Sequence, residues 1–186
     1  MITLITGGAR SGKSRFAQET AAVAAAASGE RVLFVATAEA GDEEMRRRIQ
    51  AHRQHRPAGW RTLEAPSGVG NAIRREIGDA QLVIIDCVTL LVSNVLGGFV
   101  SADGVRVDVP NAEAAVTREI DGLLDCLTRT PADFLVVTNE VGLGIVPDNE
   151  VGRAYRDLLG TANQRLAAAA DSVYLLVSGL PLRLKP

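Results

Sequence analysis

Eight residues near the amino terminus carry the plainest chemistry in the chain. Gly7-Gly8-Ala9-Arg10-Ser11-Gly12-Lys13-Ser14 fits the pattern G-x-x-x-x-G-K-[ST] at every position. Glycines at both ends let backbone N–H groups curl around an anion, and a helix opening at Lys13 adds the positive end of its dipole. The lysine of this pattern reaches the β- and γ-phosphates of a nucleotide, and the hydroxyl after it, here Ser14, ligates Mg²⁺. The pattern carries weight only when a strand precedes it and a helix follows. Residues 2–6 (ITLIT) form a short apolar run, and residues 13–27 read as a helix that stops near Gly29. That context makes the segment a P-loop. Its stretch from Gly7 to Ser14 is expected to hold nucleotide phosphates, with Lys13 as the catalytic cation.

Two carboxylates stand at the ends of apolar runs. Asp86 terminates QLVIID, a segment apolar enough for a strand covered on both faces. An acid there can hold Mg²⁺ or its water shell, so Ser14 and Asp86 form the expected metal pair. An ordinary strand-end or helix-capping aspartate is the plainer alternative. Glu140 terminates DFLVVTNE and precedes the glycine-rich VGLGIVP. A base, a metal-shell ligand, a substrate contact and a structural loop residue are all open for it.

The only histidines, His52 and His55, lie among Arg46, Arg47, Arg48, Arg53 and Arg56. Asp42, Glu43 and Glu44 stand four residues before Arg46, Arg47 and Arg48, an acid-first order that favours a solvated helix over 42–53. On that reading both histidines are surface residues. A sharper reading turns the basic end toward a nucleoside triphosphate. A neutral imidazole would then attack the α-phosphate, with arginines neutralising the departing pyrophosphate. Zinc finds little support, because HxxH supplies only two ligands. Residue types and spacing leave the first two readings open.

These groups need a scaffold, and the rest of the chain alternates between strand and helix patterns. Strands are expected at 31–37, 61–64, 81–86, 133–138 and 172–177, the last closing the set. Helices are expected near 69–77, 88–96, 112–127 and 149–170, with a Gly/Asp/Pro-containing insert over 97–110. In the last helix Val151, Tyr155, Leu158, Leu159, Ala162 and Leu166 fall on one face. Such alternation implies a mostly parallel sheet with helices on both faces, forming one α/β domain over 1–186. Ligands of these sheets bind at the carboxyl ends of the strands. Thr6, Thr37, Asp86 and Asn139-Glu140 end their strands, so they are expected to gather at one edge, which is the expected site.

Bulk properties narrow the function further. A chain of 186 residues suits one domain with a sizeable core, built mainly from Val, Ile, Leu and Ala because only 4% is aromatic. A formal charge of −2 argues against wrapping nucleic acid by bulk electrostatics, so phosphate binding must be local. Cys87 and Cys126 lack CxxC or zinc-ligand spacing and are expected to be buried free thiols. No charged leader and no apolar run near ~18 residues is present, so no membrane span is expected and the cytoplasm is the default location.

Several stretches together go beyond a P-loop: TGGARSGKSRFAQ, the H-R-x-x-R-P-x-x-W run within VLFVATAEAGDEEMRRRIQAHRQHRPAGWRTLE, IIDCVTLLVSNVL, and TNEVGLGIVP within the final third. In this order they resemble the bifunctional adenosylcobinamide kinase/adenosylcobinamide-phosphate guanylyltransferase family of cobalamin biosynthesis, across almost the whole chain. The resemblance implies a RecA-like P-loop NTPase and two reactions. ATP or GTP would phosphorylate the aminopropanol hydroxyl of adenosylcobinamide. GTP would then guanylylate an active-site histidine, which passes GMP to adenosylcobinamide phosphate. The matching histidine here is His52, with Arg53 beside it as a nucleotide contact, and His55 is left as a bystander. Glu64 and Asp86 are implied guanine-nucleotide contacts, and Ala36, Thr37 and Ala38 would line the pocket. Mg²⁺ as cofactor and a homotrimer are implied as well.

Overall fold

The computed structural model describes residues 1–39, 43, 46, 47 and 56–186. His52, Arg53 and His55, and most of the helix expected over 42–53, lie outside the described residues. The described elements run β1 (Ile2–Gly7), α1 (Lys13–Ser28), β2 (Val32–Ala36), β3 (Arg61–Glu64), α2 (Val69–Glu76), β4 (Leu82–Asp86), α3 (Val88–Gly97), α4 (Val109–Arg129), β5 (Asp133–Val137), α5 (Glu150–Ala169), β6 (Ser172–Val177) and β7 (Leu180–Lys185).

The strands form one sheet in the order β3-β2-β4-β5-β1-β6-β7. All neighbours are parallel except β6 and β7. This is the mostly parallel α/β class expected, and β5 lies between the P-loop strand β1 and the Asp86 strand β4. Leu33, Val35, Val83 and Ile85 belong to the core that includes the apolar faces of α2 to α5. Their neighbours Val32, Phe34, Leu82 and Ile84 belong to the core against α1. Burial on both faces explains why these strands read as unbroken apolar runs rather than alternating ones.

Helix ends are fixed by identifiable side chains. Asp108 accepts from the Asn111 N–H at the start of α4, with Pro110 in the first turn. That cap starts the helix at Val109 rather than 112 and shortens the expected insert. Asn149 caps α5 through the Gly152 N–H. The Glu119 carboxylate reaches from α4 to accept the N–H groups of Gly68 and Val69 at 2.8 and 2.9 Å, capping α2 from a distance of 50 residues in sequence. The same two helices meet at Gly70, where a Cβ would stand 2.1 Å from the Gly122 carbonyl oxygen.

The set of strands does not close with β6. A two-residue turn with positive φ at Ser178 (52°) and Gly179 (83°) returns the chain as the antiparallel edge strand β7. Leu180, Leu182 and Leu184 on it are exposed, so it shows no buried periodicity to read. Lys185 anchors it by donating to the carbonyls of Ala167, Ala168 and Ala170, the unpaired acceptors at the end of α5. Among the described residues no helix is long and apolar enough to cross a membrane.

Candidate active site

The cradle is shaped by backbone conformations that few residues tolerate. Gly7 has φ 147°, and a Cβ there would lie 2.5 Å from the Leu176 carbonyl oxygen and 2.9 Å from Ser11 Oγ. Gly12 has φ 96°, and Arg10 adopts the left-handed region at φ 57°. Two other segments clamp the loop. Ser11 O accepts the Gly179 N–H at 2.9 Å, from the β6–β7 turn, and Gly7 O accepts the Glu140 N–H at 3.0 Å. Lys13 is buried, and its Nζ donates to Gly8 O at 2.5 Å and to Ser11 Oγ at 3.4 Å. Burial lowers its pKa below the ordinary lysine value, with Cys87 and Asp86 nearby opposing the shift.

A second group of residues sits at the neighbouring strand ends. In register, Ala36 faces Glu64 on one side and Asp86 on the other, so the three form a row across β3, β2 and β4. Thr37 is fully buried. Its hydroxyl donates to Cys87 O at 2.7 Å and accepts the Cys87 N–H at 2.8 Å, while its own N–H donates to Asp86 O at 3.2 Å. Asn94 Nδ2 then holds Thr37 O and Pro66 O. Thr37 is therefore a clasp that sets where β4 ends and where Asp86 stands.

Between these groups lies a cavity of about 980 Å³. Its wall contains Ala9 to Arg15 of the cradle, Gln18, Glu19 and Ala22 of α1, and Pro57, Asp86, Cys87, Val137 and Asn139. The expected residues Ala9, Arg10, Ser11, Gly12, Lys13, Ser14 and Asp86 thus share one cavity. Gly7 and Gly8 do not line it, nor do Ala36, Thr37, Ala38 and Glu64. Glu140 is also absent from the wall, and its Oε1 accepts the Gly142 N–H at 3.0 Å, so the structural loop role is the one it visibly performs.

Cys126 is buried as expected, but Cys87 is only partly so and lines the cavity. Its thiol is free as expected, but its place beside Asp86, packed against the core under α1 while bordering the cavity, corrects the expectation of full burial. Burial of its sulfur and the adjacent Asp86 carboxylate push the thiol up to about 11. Gln18, Glu19 and Ala22 were legible in principle, since they follow Ser14 and Arg15 at helical spacing. Pro57 is the proline of the H-R-x-x-R-P-x-x-W run, the signal that marked it in the sequence. The Ser14 hydroxyl and the Asp86 carboxylate both offer oxygen to one space, which suits Mg²⁺. Among the described residues no group of three or more His, Cys, Asp or Glu could form a metal cage. A cation shared with nucleotide phosphates needs none.

A P-loop at the tip of β1, a strand-end carboxylate two strands away and a cavity along α1 define a P-loop nucleotide-dependent enzyme. The chain belongs to the cobinamide kinase / cobinamide phosphate guanyltransferase family, whose model matches residues 3–184. It is 43% identical over 188 residues to the bifunctional adenosylcobalamin biosynthesis protein CobU of Escherichia coli strain K12, with 100% of both chains covered. The Salmonella typhimurium protein of that name is similar to the same extent, 43% over 188 residues and 100% of both chains. The bifunctional adenosylcobalamin biosynthesis protein CobP of Pseudomonas aeruginosa is 43% identical over 185 residues, covering 100% of this chain and 98% of its own.

Proposed function

We propose that this chain phosphorylates the aminopropanol hydroxyl of adenosylcobinamide with ATP or GTP. It then transfers GMP from GTP, through a guanylyl group on His52, to adenosylcobinamide phosphate, acting in the cytoplasm. The observation that carries the reading is the single cavity uniting Lys13, Ser14 and Asp86 with a wall that extends to Pro57. Pro57 is five positions from His52, a span of at most about 18 Å of chain.

One nucleotide site serves both reactions. Backbone N–H groups of the cradle and Lys13 hold the β- and γ-phosphates, which are the reacting end in the kinase step and the leaving pyrophosphate in the second. In the first reaction the substrate hydroxyl oxygen bonds to Pγ as the β–γ bridge breaks. In the second, the neutral imidazole of His52 bonds to Pα, the α–β bridge breaks and pyrophosphate departs, its charge met by Lys13 and by Arg53. Ser14 and Asp86 would hold Mg²⁺, which supplies charge neutralisation on the phosphates when bound. Glu64 and Ala36, Thr37 and Ala38, at the β3 and β2 ends of the same edge, are assigned to the guanosine side. A homotrimer belongs to the same reading, and the exposed Val177, Leu180, Leu182 and Leu184 offer an apolar surface for it.

The test is incubation with GTP labelled at the α-phosphorus, Mg²⁺ and either wild type or His52→Ala, followed by a denaturing gel. Label on the wild type that is absent from the variant is expected. Absence of label on the wild type would leave a P-loop kinase without guanylyl transfer.

A further inference from the structure

The exit of β5 is held by more hydrogen bonds than a strand end requires. Thr138 N–H donates to Ile5 O at 2.9 Å, and Glu140 N–H donates to Gly7 O at 3.0 Å. Between them, the Asn139 N–H donates to Thr89 Oγ1 at 2.7 Å and Asn139 O accepts from Asn163 Nδ2 at 2.9 Å. The Asn163 carboxamide is fixed in turn by the Thr138 hydroxyl, which donates to its Oδ1 at 2.7 Å. Tyr155 OH donates to Thr89 O at 3.3 Å behind them. Thr89, Thr138 and Asn163 are all buried. Burying polar side chains is favourable only when they are fully paired, and apolar residues would fill the same space more simply. What this network achieves is to fix both backbone groups of one residue, Asn139.

That residue faces the site. Val137 and Asn139 are two apart, so they share a face at the end of β5, and both line the cavity that holds Lys13 and Asp86. Because β5 lies between β1 and β4, Asn139 stands between the phosphate cradle and the metal-suited carboxylate. Its carboxamide makes no hydrogen bond to another described residue.

We propose that Asn139 is a catalytic residue of the phosphoryl-transfer reaction, donating from Nδ2 to a γ-phosphoryl oxygen as charge redistributes in the transition state. The proposal rests on the kinase reading above. As the acceptor oxygen bonds to Pγ, the Pγ–O bond to the β-phosphate breaks. Its electron pair leaves with the nucleoside diphosphate, and the hydroxyl proton ends on the transferred phosphate. Asn139 neither gains nor loses a proton. A donor whose backbone is already fixed needs no reorganisation during the step, which is what makes such groups effective. Asn163 and Thr89 are positioning residues that act through it.

The experiment measures adenosylcobinamide phosphorylation in wild type, Asn139→Ala and Asn139→Asp, with thermal unfolding as a control. Asn139→Ala should lower kinase kcat by about 10²-fold, the order seen when one oxyanion donor is removed. Its KM for ATP should stay within about threefold, since the donated hydrogen bond strengthens only as charge redistributes in the transition state. Asn139→Asp keeps size and shape but replaces the donor with a negative charge, so its kcat should fall at least as far. A purely structural role would leave the isosteric Asp variant near wild type. Kinase kcat within threefold of wild type in Asn139→Ala, with the wild type active, would overturn this inference alone. A wild type that does not phosphorylate adenosylcobinamide would overturn it together with the proposed function.

Discussion

The phosphate cradle and the strand-end shelf face one cavity but are built in opposite ways. The cradle is eight consecutive residues whose shape comes from local backbone conformation, and its key side chain, Lys13, bonds within its own loop to Gly8 and Ser11. The shelf is assembled from β2, β4 and β5 by hydrogen bonds between residues about 50 positions apart, such as Thr37 to Cys87 and Asn139 to Thr89. The cradle therefore depends on glycine at particular φ values. The shelf depends on hydroxyls and carboxamides that stitch separate strands and helices together. A contiguous anion site is defined by few residues, while the groups that organise transfer are set by the packing of the whole sheet.

Breaking the cradle should have the largest effect. In Gly7→Ala the new Cβ meets the Leu176 carbonyl oxygen at 2.5 Å, at a φ of 147° that side chains rarely adopt. The obstacle is backbone of β6 and cannot swing aside. A loss of about 2–4 kcal/mol in urea unfolding is expected, with nucleotide binding abolished in a fluorescence titration. A variant as stable and as tight-binding as wild type would show that the cradle tolerates another shape.

Breaking the shelf should cost less and separate binding from chemistry. Thr37→Val keeps the side-chain shape but leaves the Cys87 N–H and carbonyl without their shared hydroxyl. About 2 kcal/mol of stability should be lost, as for a buried pair left unsatisfied. Turnover should fall by about tenfold as Asp86 shifts, with nucleotide affinity changed far less. Thr37→Ser, which restores the hydroxyl, should recover most of both. Equal losses of affinity and kcat would mean that cradle and shelf are not separable.

The smallest effect sharpens the boundary between the two regions. With its pKa raised to about 11, Cys87 should be alkylated by iodoacetamide at pH 8 about two orders of magnitude more slowly than an ordinary thiol. The rate should climb as pH approaches 11, and ATP should suppress it, because Cys87 lines the cavity. The folded state binds this proton more tightly than the unfolded chain. Its contribution to stability is therefore present below the ordinary thiol pKa and lost as pH rises from there toward 11. Ordinary reactivity at pH 8, unaffected by nucleotide, would place the sulfur outside the shared wall.

The order of strands and helices from β1 to β6 was legible because each buried strand is an unbroken apolar run and each long helix has one apolar face. Boundaries moved where a cap intervened, as at Asp108, which begins α4 three residues early. β7 escaped because its leucines are exposed and its tether, Lys185, acts on carbonyls of a helix about 16 residues back. The close approach of α2 and α4 at Gly70 and Gly122 is equally silent in sequence, since neither glycine occupies a turn.

The sequence by itself determined the P-loop and the family, because each depends on residues close together in the chain or on long stretches matched in order. Only the tertiary structure decided that Thr37 clasps the end of β4, and that Cys87 borders the cavity. It also decided that three buried polar residues, Thr89 on α3, Thr138 just past β5 and Asn163 on α5, converge on Asn139. Those assignments depend on which strand lies beside which and in what register, and that is settled by burying both faces of the sheet at once, a property that no local stretch of the chain contains.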